Sequence, residues 1–432
     1  MRKTSLMLLG AATGVALMIV ALQPRVAFSG ADTKPVPPAA NYRALNLFGD
    51  TFDRVRSRYV ETPSDRELIE AAINGMLAGL ENSYYVDAKS MNDLAACPGP
   101  GCAVGDVGVS FTVADGVVKV ITAIADAPAA AAGLMAGDII TDVDDEPTQG
   151  LNVYQVAAKL RGEVGKAVRL TVVRPDRTKV IETSIIRQRI DTRPVRARAE
   201  GDDVGYVRIT QFNEQTADQL KKALDEIAAA IPPGKLKGFV IDLRNNPGGL
   251  PDAAVAVADT FLEDGEIVSI RGRKTEEIRH LRAKAGDLAK GKALIVLINA
   301  GSASAAEIVA GALQDHRRAT IVGTRSFGQG SAVTLIPLGQ GNGAIHLTTG
   351  HYVTPSGRVI EGKGIAPDVE VVQELPDDLK PDVKTDSNAK SPLQSYVPPD
   401  AQADKALSRA FELLRRTAKD TASRPPKSAL PN

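Results

Sequence analysis

The 432-residue chain carries 52 Lys and Arg against 52 Asp and Glu, lacks Trp and holds only 4% aromatic residues. That length exceeds one ordinary core, so two or three domains with tails are expected. With no net field and few stacking rings the body has little to draw or read nucleic acid, and 44% apolar with 24% charged residues is the balance of a soluble globular protein.

Arg2 and Lys3 precede an apolar run over residues 6–22, and Ala27-Phe28-Ser29 offers small residues for cleavage. Residues 1–29 therefore read as a secretory signal or, since the run is 17 residues long, as an N-terminal anchor. Either form places the body in a bacterial-type periplasm or cell envelope. Residues 30–40 are a Pro-rich linker. Residues 41–95 form a helical arm in which Leu68, Ile69, Ala72, Ile73, Met76, Leu77 and Leu80 recur as one stripe. Packing onto the body and self-association are both open for that arm. Cys97 and Cys102 flank Pro-Gly-Pro-Gly, where an oxidising compartment would close a small disulfide loop; two unpaired thiols are the alternative.

Residues 105–190 change to short β-type runs such as 117–121 and 168–173, separated by Gly, Asp and Pro turns. The segment Ala132-Gly133-Leu134-Met135-Ala136-Gly137-Asp138-Ile139-Ile140, followed by a helix around 153–160, resembles a PDZ domain. The resemblance implies capture of protein or peptide C-termini, added as a strand to a sheet edge, with the backbone of Val107, Gly108 and Val109 receiving the terminal carboxylate.

Residues 193–372 alternate strands and helices, which indicates an α/β core. Residues 373–432 read as a Pro-rich, charged linker and a C-terminal amphipathic helix. Within the core, the continuous apolar run 294–298 ends in a turn that carries Ser304 into a helix. The first amides of a helix lack internal partners, so the Ala305 N–H could stabilise an oxyanion. Ser in such a turn is also a common N-cap. A second strand, 239–243, runs into Arg244-Asn245-Asn246-Pro247-Gly248-Gly249, whose glycines expose backbone donors. Two such turns in one sheet could serve one oxygen.

The arm, the PDZ-like module, these two turns and the segment Gly323-Thr324-Arg325-Ser326-Phe327-Gly328 together resemble the C-terminal processing peptidases, serine enzymes with a Ser-Lys dyad. The resemblance covers about residues 41–372. It implies a crotonase/ClpP-like peptidase core, with Ser304 as nucleophile and the amides of Ala305 and of the Gly248-Gly249 turn as oxyanion hole. The chain departs from the pattern at two places. Gln329 stands at the general-base lysine position, 25 residues after Ser304, and Val333 stands where a glutamine would orient that base. A carboxamide has no usable basic site, and the loss of a base removes ~10²–10⁴ of rate. None of His280, His316, His346, His351 or Lys363 has a spacing from Ser304 that argues for a substitute.

Two functions follow. One is a serine endopeptidase acting on C-terminal regions of envelope proteins held by the PDZ domain. The other is an inactive peptide-binding adaptor or regulator, either a homo-oligomer or paired with an active relative through the arm. No cofactor is expected, and no metal-ligand constellation stands out in the sequence. The segment 339–343 reads as a hairpin turn.

Overall fold

The computed structural model describes residues 38–96, 104–114, 116–175, 180–190, 193–232, 234–284, 286–339, 341–376, 379 and 395–422. The signal or anchor segment, Cys97 and Cys102 with their expected bridge, and most of the linker before residue 395 lie outside the described residues. No helix among the described residues is long and apolar enough to cross a membrane.

The chain divides into two bodies, residues up to Ile69 and residues from Glu70 onward. In the first, a helix spans Pro38–Arg58, so helical structure begins inside the expected linker. The next helix, Asp65–Leu77, is opened by a reciprocal cap: the Ser64 amide donates to Glu67 Oε2 at 3.0 Å, and the Glu67 amide donates to Ser64 Oγ at 3.2 Å.

In the second body the expected stripe is narrower than its spacing suggested. Leu77 is buried, Met76 is exposed, and Leu80 lies beyond the end of the helix. The segment Tyr84–Val86 is a strand, not a helix, because its backbone pairs with 344–346 of the long strand Ala344–Val353. That strand also pairs with Glu266–Gly272 and with Ser331–Pro337, and the latter pairing closes the hairpin expected at 339–343.

The β-rich module forms its own sheet, in the order 109–114, 117–123, 139–143, 167–173, 181–186. Val118, Val120, Ile140, Val143, Val168, Leu170 and Val172 alternate inward from these strands, and Val156 and Leu160 of the helix Val153–Leu160 cover them. The strand Val109–Ala114 lies at the sheet edge.

The α/β core is a six-stranded sheet in the order 369–370, 320–323, 293–298, 238–242, 204–209, 195–200. All neighbours are parallel except the last pair. The strand Gly238–Asp242 is buried at every position, as a strand covered on both faces must be. Its residues split between the layers. Phe239 and Ile241 join Leu220, Leu224, Val257, Ile308 and Val309 of the helices on one face. Val240 joins Ala406, Leu407, Ala410 and Leu414 on the other. The C-terminal helix Lys405–Ala422, expected as an amphipathic helix after a linker, is therefore a layer of the core.

Candidate active site

Strands 238–242, 293–298 and 320–323 are parallel neighbours, so the turns after their carboxyl ends emerge on one side of the sheet. Polar side chains lock these turns to one another. Asn299 Oδ1 accepts from the Asn245 amide at 2.9 Å, and Asn299 Nδ2 returns a bond to Asn245 Oδ1 at 2.9 Å. Ser302 Oγ donates to Leu243 O at 2.8 Å, the Ala303 amide donates to Asn246 O, and the Phe327 amide donates to Ser302 O. Each bond satisfies a buried polar group that would otherwise cost ~1–3 kcal/mol.

Ser304 is the N-cap of the helix Ala305–Asp315, with φ 52° and ψ −113°. Such a backbone is strained for a residue with a Cβ and persists only where its surroundings impose it. Gly248 packs directly on it: a Cβ there would lie 2.7 Å from Ser304 Cβ and 2.9 Å from the Ala305 nitrogen. Gly249 approaches another backbone as closely, since its Cβ would lie 2.1 Å from Phe212 O. The structure thus brings Ser304, Ala305, Gly248 and Gly249 together. The donors differ in availability. The Gly248 amide is bound to Asn246 Oδ1 at 2.8 Å, whereas no acceptor among the described residues faces the Ala305 or Gly249 amide.

Glu307, one turn into the same helix, is wholly buried. Its carboxylate accepts from the amides of Ser304 (2.9 Å), Gly328 (2.7 Å) and Gln329 (2.8 Å), and from the Ser326 hydroxyl. Burial pushes its pKa up to about 7 against the pull of these donors. Sequence reasoning passed over Glu307, although Ser304-Ala305-Ala306-Glu307 has the spacing of a capping box, the signal that would have found it.

Gln329 is half-buried and its backbone is pinned beside that of Ser304 through Glu307. Val333 lies on the strand 331–337, opposite Thr348, and is 44% exposed. His280, His316 and His346 are engaged elsewhere, with Glu266 Oε2, Glu266 O and Asn82 O respectively.

Beneath the glycine turn, Asp242 and Arg244 form a fully buried pair. Arg244 Nη2 and Nε reach Asp242 Oδ2 and Oδ1 at 2.7 and 3.0 Å, and Arg244 Nη1 reaches Asp404 Oδ1 at 2.9 Å. Burial works to raise the Asp242 pKa, but the guanidiniums of Arg244 and Arg208 outweigh it and hold the carboxyl far below the carboxylate range.

In the β-rich module, Val107 is buried and Gly108 has φ 74°, with its amide bound to Asp106 Oδ1 at 3.0 Å. The strand that begins at Val109 keeps its outer edge free of strand partners among the described residues. A cavity of about 1080 Å³ connects that strand to the core, lined by Tyr84, Thr112, Lys119, Phe327, Gln329 and Glu361 among others. Lys119 Nζ stands 5.6 Å from the Phe327 ring centroid, so the module's second strand meets the turn that carries Gln329.

Comparison with known proteins gives the following. The family model for peptidase family S41 matches residues 203–371, and a PDZ domain model matches residues 120–174. The carboxy-terminal-processing protease of Bartonella bacilliformis is 46% identical over 390 residues, spanning 87% of this chain and 89% of its own. The carboxy-terminal processing protease CtpA of Bacillus subtilis is 31% identical over 346 residues, spanning 79% and 71%. Among solved structures, a photosystem II D1 C-terminal processing protease superposes with a TM-score of 0.64 at 28% identity, over 76% of this chain and 92% of that one.

Proposed function

The chain belongs to the carboxy-terminal processing proteases of peptidase family S41, and from that membership we propose that it is an exported serine endopeptidase acting on C-terminal regions of envelope proteins. Ser304 Oγ attacks the scissile carbonyl carbon as its proton passes to a base other than the Gln329 carboxamide, the amides of Ala305 and Gly249 receive the oxygen as it becomes anionic, and that base then gives the proton to the departing amine. The observation that carries this reading is the Ala305 amide, without an acceptor beside Ser304 and packed against the Gly248 turn. The substrate's end pairs with the edge strand 109–114, its carboxylate at the loop formed by Val107, Gly108 and Val109, and the chain follows the cavity toward Gln329. Export rests on Arg2, Lys3 and the apolar run that follows them.

Gln329 favours a second reading. Its carboxamide takes no proton from Ser304, so the chain binds C-termini without cutting and serves as an adaptor or regulator. The exposed Leu45, Leu47 and Phe48 of the helix Pro38–Arg58 support self-association or pairing with an active relative.

One experiment separates the readings. The purified protein, its Ser304→Ala variant and a Gln329→Lys, Val333→Gln double variant are incubated with an unfolded envelope protein. Cleavage by the unmodified chain that Ser304→Ala abolishes establishes the peptidase. Cleavage by the double variant alone, ~10²–10⁴-fold above the parent, shows a competent scaffold without its base.

A further inference from the structure

Glu81, His351 and Glu361 come from three distant segments: the turn after the helix Asp65–Leu77, the long strand Ala344–Val353, and the loop that follows it. One carboxylate oxygen of each Glu and one ring nitrogen of His351 all lie within 4.8 Å of one another. His351 Nδ1 is 3.9 Å from Glu81 Oε1 and, although buried as an atom, has no hydrogen-bond partner. The ring as a whole is 39% exposed, so this nitrogen is the one part of it turned inward, toward the two carboxylates.

The two carboxylates share one hydroxyl donor. Glu361 Oε2 accepts from the Gly330 amide at 2.7 Å and from Ser331 Oγ at 2.8 Å, while Glu81 Oε1 also lies in hydrogen-bond contact with Ser331 Oγ. A hydroxyl has one proton and cannot donate to both. Asn82 Nδ2 points its donor at the same hydroxyl oxygen, at 3.1 Å, which leaves the deficit in place. Among the described residues no Lys or Arg pairs with Glu81 or Glu361. Two carboxylate oxygens and one imidazole nitrogen thus converge on one point.

We propose that Glu81, His351 and Glu361 bind a divalent cation of the zinc class, with the Ser331 hydroxyl or water completing the shell. One imidazole with two carboxylates suits a borderline first-row ion, whereas magnesium and calcium prefer oxygen alone. Bonds of ~2.0–2.2 Å put tetrahedral ligand atoms about 3.4 Å apart, so binding draws the three side chains inward from separations of up to 4.8 Å. The bound ion clasps the turn at Glu81 to the strand at His351 and to the Glu361 loop. Because Glu361 already holds the Gly330 amide, the clasp also fixes the backbone next to Gln329.

The test takes the full chain, strips it with a chelator and titrates it with zinc chloride by calorimetry, and separately with cobalt chloride in the visible range. One equivalent is expected to bind at micromolar affinity or tighter and to raise the melting temperature by several degrees. Cobalt is expected to give the absorption of a nitrogen-and-oxygen site. His351→Ala, Glu361→Gln and Glu81→Gln each weaken binding by at least ~10-fold. Glu81 is exposed, so its variant remains readable if another fails to fold. Absence of binding overturns the proposal, as do affinities equal to the parent's in the three variants, or a thiolate charge-transfer band from Cys97 or Cys102.

Discussion

The amides of Ser304 and Gln329 donate to the same atom, Glu307 Oε2, at 2.9 and 2.8 Å. One carboxylate therefore sets the distance between the turn at Ser304 and the turn at Gln329, whatever side chain stands at 329. Its titration gives a signed prediction. The folded-state pKa is raised, from the ordinary 4.5 to about 7. Between these values the native state holds more protons than the unfolded one, so stability contributed by this group is complete below about pH 4.5 and is lost as pH rises through about 7. Glu307→Gln, which also turns an N–H against these N–H donors, is expected to lower stability by ~1–3 kcal/mol. The parent-minus-variant difference should shrink over that window in denaturant titrations at several pH values. A constant difference would refute the assignment.

The Ser304 backbone invites a comparison of two variants that both lack its hydroxyl. Alanine keeps the Cβ that makes φ 52° unfavourable, and glycine removes it. Ser304→Gly is expected to melt higher than Ser304→Ala by the equivalent of ~1 kcal/mol. Calorimetric scans of the pair decide it, and equal melting temperatures would mean that the turn is unstrained.

A methyl group at either glycine tests the close packing around Ser304. At Gly248 it meets Ser304 Cβ at 2.7 Å and the backbone atoms Ala303 O and Ala305 N at 2.9 Å; at Gly249 it meets the carbonyl of Phe212 at 2.1 Å. Gly248→Ala is expected to cost less stability than Gly249→Ala and, in the Gln329→Lys, Val333→Gln background, to lose ~10²-fold in turnover through displacement of Ser304. Gly249→Ala should cost more than ~3 kcal/mol and show it first in expression and melting.

Asp404 both pairs with Arg244 and accepts from the Leu407 amide at 2.9 Å, capping the C-terminal helix. Asp404→Ala leaves Arg244 with Asp242 alone and uncaps the helix, so a loss of ~2–4 kcal/mol is expected. Denaturant unfolding measures it, and a loss below ~0.5 kcal/mol would show that apolar packing alone docks the helix.

Buried strands announce themselves in composition, which is why 239–243 and 294–298 were legible as core strands and the turns after them as neighbours. The PDZ-like module was legible for a similar reason, its Gly-Asp-Ile-Ile turn being local. What stayed hidden is non-local. Tyr84–Val86 is too short to show a period and is a strand only because residues 344–346 lie beside it. Glu307 reads as an ordinary cap until Gly328 and Gln329 fold onto it. Arg244 finds Asp404 across 160 positions, and Glu81 finds His351 across a still wider gap, so no spacing rule would pair them.

The docked C-terminal helix orders events in time. A ribosome releases residues 405–422 last of the described elements, and until they arrive Val240, Ile295, Leu297 and Val322 have no cover on one face of the sheet whose three turns make the site. The turn that holds Ser304 thus rests on a sheet whose second face is closed by an element made after it, so translation order and packing order differ for this layer.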